Sequence, residues 1–175
     1  MRTLWIAFVL AASACHTAVP ATTVQVEARP RTRAQNRAVK APCKCEIATV
    51  LDQFHAAAER ADEDGYFAAF APEGVFLGTD ATERWDVPAF RAYVHPYFSE
   101  GKGWAYHPRD RHVSFSRDAQ SAWFDELLDH DRYGVLRGTG VLVKRDGAWK
   151  IAQYNLTFMV PNDKAKAVVA LIGEP

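Results

Sequence analysis

The sequence predicts an α+β domain on two observations: apolar residues recur at helical spacing in the first half of the region after residue 45, and strand-like runs separated by turn signals fill the second half. In the first stretch Ile47, Val50, Leu51, Phe54 and Ala58 fall on one face of a helix. The acidic run Ala61 to Gly65 closes it, and a short second helix from Tyr66 to Phe70 is stopped by Pro72. Val75 to Gly78 reads as a short strand. Asp86 is placed to cap a third helix running through Phe90, Val94 and Phe98, with Pro96 in its last turn.

From Trp104 the period changes. Val113 to Phe115, Ala122 to Leu127, Val135 to Lys144 and Trp149 to Phe158 read as strands, with turns at Arg117-Asp118, His130 to Gly134 and Asp146-Gly147. A three-residue loop Asp146-Gly147-Ala148 is the expected register of the last hairpin, because it pairs Val143 with Ile151, Val141 with Gln153, Thr139 with Asn155 and Arg137 with Thr157. It also leaves Lys144 and Lys150 together on the solvated face.

The domain is preceded by two other segments. Residues 1–15 carry Arg2 ahead of an apolar run from Leu4 to Ala12, shorter than the roughly 20 residues a membrane-spanning helix needs. This reads as an export signal. Its end, Leu10-Ala11-Ala12-Ser13-Ala14-Cys15, resembles a bacterial lipobox, which implies lipidation of Cys15, an envelope location and membrane contact through the lipid; the competing reading is ordinary cleavage after Ala14. Residues 16–45 have no hydrophobic period and hold Arg29, Arg31, Arg33, Arg37, Lys40 and Lys44 against the single acid Glu27, so a disordered basic spacer is expected. Either it rests on anionic headgroups or it is a solvated stalk.

With Cys15 lipidated, Cys43 and Cys45 are left as a pair, joined either to each other or between molecules. No second Cys or His pair stands at zinc spacing, and no phosphate loop, nucleophile elbow or clustered acidic site occurs, so no metal and no cofactor are expected. Nucleic acid is not an expected partner of an exported chain without a reading module.

The order helix, helix, short strand, helix, four long strands, together with Phe76 to Asp80, Glu83-Arg84-Trp85, Trp123 to Glu126, Arg137 to Gly140 and Trp149 to Leu156, resembles the SnoaL-like proteins of the nuclear transport factor 2-like superfamily. The resemblance covers residues 46–163. It implies a cone in which three N-terminal helices pack on a curved, mostly antiparallel sheet around a pocket, within a domain at 46–175. The superfamily includes isomerases, cyclases, dehydratases and an oligomerising hub, so the fold leaves the chemistry open.

The hairpin register places Arg137, Thr139, Gln153 and Asn155 on the wall that carries Val141, Val143 and Ile151, and so into the pocket. A guanidinium there needs a carboxylate, from the protein or from a ligand. Asp125 and Glu126 are the candidates, and only one of two neighbours on a strand faces inward; Asp125 is the favoured one. Tyr97, Tyr106, Trp85 and Trp123 either line the pocket or fill the core, and Glu83 either caps the pocket mouth or is solvated. The histidines, His55 included, read as structural. Three functions follow: binding of a small, partly apolar molecule through Arg137, Gln153, Asn155 and a carboxylate; an isomerase, cyclase or dehydratase type of enzyme with Asp125 or Glu126 as general base; or a dimeric interaction module pairing through Tyr154, Leu156 and Phe158 on the outer sheet face.

Overall fold

The computed structural model describes residues 43–173. The export signal, Cys15 and most of the basic spacer lie outside the described residues.

Helix α1 (Lys44–Glu59) starts just inside the expected spacer, with Cys43 as N-cap, and buries Ile47, Leu51, Phe54, His55 and Ala58 on one face. Cys43 and Cys45 are joined to each other by a disulfide. Helix α2 (Glu63–Ala68) begins earlier than expected because the Asp62 side chain caps it, accepting from the Gly65 N–H. Strand β1 (Phe70–Leu77) and the short β2 (Arg84–Asp86) follow. Helix α3 (Val87–Phe98) has the expected cap, the Asp86 carboxylate accepting the Ala89 N–H at 2.9 Å. Then come β3 (His107–Phe115), β4 (Ser121–His130), β5 (Gly134–Arg145) and β6 (Ala148–Phe158). A fourth helix, α4 (Ala165–Ile172), follows the sheet and adds to the three expected; it buries none of its residues.

The six strands form one sheet in the order β2-β1-β6-β5-β4-β3, antiparallel except where β1 runs parallel to β6. The helices before β3 cover one face. Phe76, Phe124, Leu128, Leu136, Leu142, Ile151 and Tyr154 from the sheet join Ile47, Leu51, Phe54, Tyr66, Phe90 and Val94 from the helices in a single core.

The register corrects two expectations. The last hairpin turns on two residues, Asp146 and Gly147, both at positive φ (50° and 84°), with Lys144 opposite Trp149. Farther from the turn the pairs Val141 with Gln153, Thr139 with Asn155 and Arg137 with Thr157 stand as expected, because Ala152 is an extra, unpaired residue between Ile151 and Gln153. That bulge switches the inward face of β6 from Trp149 and Ile151 to Tyr154 and Leu156, which are buried. On β5 the inward set is Leu136, Gly138, Gly140 and Leu142. Arg137 and Gln153 therefore lie exposed on the outer face, with Asn155 and Thr139 half-buried beside them. They do not line a pocket.

The same logic overturns the dimer face. Tyr154 and Leu156 are core residues, and of the three named only Phe158 is exposed. The outer face instead carries Trp123, which is 51% exposed and so does not line a pocket either.

Candidate functional site

A cavity of about 240 Å³ lies between the helices and the inner face of the sheet. Its walls are mostly aromatic: Phe54 and Tyr66 from α1 and α2, Phe76 and Trp85 from β1 and β2, Phe90 and Tyr93 from α3, then Trp104, Tyr106, Tyr133 and Tyr154. Several rings stack in series, Phe76 on Phe90 at 4.0 Å and Trp85 on Tyr93 at 4.7 Å between centroids, so the wall is built from flat faces. Outside it opens a recess lined by Tyr97, Lys102, His130, Asp131 and Arg132, which shares Tyr93, Trp104, Tyr106 and Tyr133 with the cavity. Tyr106 thus lines the site as expected, whereas Tyr97 lines only the outer recess.

His55 and the Tyr154 hydroxyl end supply polarity to the deep wall. Behind them is Glu126, fully buried. One carboxylate oxygen contacts His55 Nε2 at 2.7 Å and, more loosely, the Tyr154 hydroxyl at 3.5 Å; the other accepts from Arg111 Nε at 2.6 Å. Arg111 Nη1 in turn donates to Asp52 at 2.8 Å and to the Ala48 carbonyl at 3.2 Å. The buried charge is therefore compensated by an opposite charge and by hydrogen bonds, as burial requires.

Local sequence builds each part. Ala48, Asp52 and His55 are three or four residues apart and so follow one line along α1, with His55 buried and Asp52 exposed at the rim where Arg111 reaches it. Arg111 points inward because Asp110, at φ 50°, and Arg111 together oppose the single residue Glu126, a bulge that displaces the parity of β3. Tyr154 fits because Gly138 faces it: a Cβ on Gly138 would sit 2.4 Å from the Tyr154 hydroxyl oxygen.

The inward carboxylate is Glu126, not Asp125. Asp125 is half-exposed on the outer face, 3.4 Å from His112 Nδ1. The guanidinium that meets the buried carboxylate is Arg111, not Arg137. Sequence reasoning missed His55, Arg111, Asp52 and Tyr154. For His55 a signal existed, since it lies among the apolar residues of α1; for Arg111 none did, since alternation along β3 breaks at the bulge.

The electrostatics follow from burial and from Glu126. Burial, then the Glu126 charge, pushes the Tyr154 hydroxyl well above its ordinary range, and burial does the same to Tyr66. Tyr106 is pushed up to about 12 by burial and by neighbouring Tyr133 and Tyr93. For Arg111 burial opposes the charge, yet Glu126 and Asp52 outweigh it and hold the guanidinium charged. His55 Nε2 is taken up by Glu126, and Nδ1 makes no hydrogen bond among the described residues; the buried side-chain polar atom without a partner among the described residues is Arg111 Nη2. No group of three or more metal-ligating side chains is gathered among the described residues.

The SnoaL-like domain family model matches residues 47–161. The chain belongs to that SnoaL-like family. Solved structures agree on the fold. A domain of unknown function with a cystatin-like fold from Nostoc punctiforme is 17% identical, with TM-score 0.62 over 75% of this chain and 86% of that one. An NTF2-like protein of unknown function from Pseudomonas putida is 14% identical, with TM-score 0.58 over 69% of this chain and 89% of that one. A proposed dehydratase of the NTF2-like family from Streptomyces avermitilis is 12% identical, with TM-score 0.57 over 67% and 97%. No curated protein matches this chain. These identities carry the fold and no activity.

Proposed function

We propose that this SnoaL-like domain binds a small, flat, mostly apolar molecule in its aromatic cavity and orients it through one polar group at His55. The observation that carries this reading is the contact of His55 Nε2 with Glu126, 2.7 Å, at a wall otherwise made of rings. It leaves Nδ1 as a polar atom of His55 available to a ligand. Export and lipid attachment at Cys15, read from the sequence, would put this binding site at the envelope membrane. Native mass spectrometry of protein isolated from its own host tests the proposal. Wild type is expected to carry a bound small molecule that His55→Leu lacks, and wild type without any such molecule at host concentrations overturns the reading.

The same contact favours a second reading, proton transfer of the isomerase or dehydratase type, to which the likeness to a proposed dehydratase lends the fold. Here the base is His55. Glu126 is already ion-paired with Arg111, so it acts as a positioning residue that fixes the imidazole, while Nδ1 accepts a proton from a carbon next to a carbonyl. Incubating the protein with its co-purified molecule in deuterated water distinguishes the readings. Proton transfer requires deuterium at one carbon with wild type and none with His55→Gln; pure binding requires no exchange with either.

A further inference from the structure

We propose that the molecule held in the cavity carries an ammonium group, seated at the cavity mouth between Glu83 and the aromatic rings; this rests on the binding function proposed above. The cavity lining contains neither lysine nor arginine. Its carboxylate at the mouth is Glu83, which forms no ion pair among the described residues. One Glu83 oxygen accepts the Asp80 N–H at 3.1 Å, and the other is left for a partner. Gly78 makes room for this arrangement: a Cβ there would sit 2.1 Å from Glu83 Oε2.

The same lining holds the electron-rich rings of Trp104, Tyr106 and Tyr133, together with Trp85 and Tyr93, which stack on each other. A ring face attracts a cation through its quadrupole, and the attraction grows as water is excluded. An anionic ligand group at this point would meet a carboxylate with no cation in the lining to offset it. Of the cations nearby, Arg84 follows Glu83 but is exposed, on the opposite side of β2 from Trp85, and Lys102 and Arg132 line the outer recess, where Lys102 pairs with Glu100 and Arg132 stands next to Asp131. Charge and ring chemistry at the mouth thus select the same ligand group.

Three probes of one shape test the inference by calorimetric titration: choline, its neutral carbon isostere neohexanol, and the anion of tert-butylacetic acid. Choline is expected to bind about tenfold more tightly than neohexanol. Glu83→Gln keeps the size of the side chain and is expected to remove most of the preference for choline over neohexanol, the rings retaining the rest, with little change in neohexanol binding. That retained binding also certifies an intact cavity in the variant. Equal binding of choline and neohexanol, tighter binding of the anion, or a choline affinity indifferent to Glu83→Gln overturns the ammonium inference and leaves the binding function standing. Binding of none of the three overturns the inference, and the binding function is then judged by the host-isolated protein.

Discussion

His55 on α1 and Glu126 on β4, 71 residues apart, meet at 2.7 Å and tie the first helix to the strand next to the β3 edge of the sheet through a fully buried carboxylate. Glu126 also holds Arg111, so its removal leaves a mostly buried guanidinium without its main counter-charge. Glu126→Leu is expected to cost roughly 3–5 kcal/mol in chemical denaturation, and adding Arg111→Met is expected to recover much of that loss. A loss below about 1 kcal/mol for the single change would mean that the network contributes little to the fold.

Arg137 gives the opposite expectation. It is exposed on the outer face and makes no ion pair among the described residues, so Arg137→Leu is expected to change stability by no more than about 0.5 kcal/mol. Equal denaturation midpoints for wild type and variant are the result to look for. A multi-kcal/mol loss would restore the inward placement that the hairpin register first suggested.

Gly138 sets the space for Tyr154. Because a methyl group there would meet the Tyr154 hydroxyl oxygen at 2.4 Å, Gly138→Ala is expected to destabilise by about 1–3 kcal/mol through overpacking. Combining it with Tyr154→Phe, which removes the clashing oxygen, is expected to recover part of the loss. Thermal midpoints of the four combinations measure the coupling.

Alkaline pH should act through the buried phenols. Tyr106 moves from 10.0 to about 12, and Tyr66 and Tyr154 lie well above the ordinary value as well. The unfolded chain then releases these protons at lower pH than the native one, so this contribution is fully present below the ordinary phenol pKa of about 10 and is lost as pH rises through the folded values. Stability is expected to fall steadily above pH about 10, with part of the tyrosinate absorbance appearing only as the protein unfolds. A spectrophotometric titration in which every tyrosine ionises in the native state at the ordinary pH would contradict the burial.

We propose that pairing of two copies, expected from the sequence, uses the surface that carries Trp123, 51% exposed, together with half-buried Leu127, Val141 and Val143. Trp123→Glu is expected to convert a dimer to a monomer in light scattering, with the fold unchanged by circular dichroism. Wild type that is monomeric at micromolar concentration removes this proposal.

The sequence by itself determined the fold class, the Asp86 cap of α3 and the positions of the last strands, because these rest on local period, capping and turn chemistry, and its motifs carried the resemblance to the family. It also gave the correct partners Arg137 with Thr157 and Thr139 with Asn155. Which face those partners present was decided only by the tertiary structure. Strands β4 and β5 carry apolar residues on both faces, so alternation alone left two choices. Two single-residue bulges, at Ala152 in β6 and at Asp110-Arg111 in β3, then displaced the parity of their strands. Each is stabilised by contacts distant in sequence: Tyr154 against Gly138 in one case, Arg111 against Glu126 and Asp52 in the other. For that reason the site came to rest on His55, Arg111 and Glu126, and Arg137, Gln153 and Asn155 came to lie on the outside.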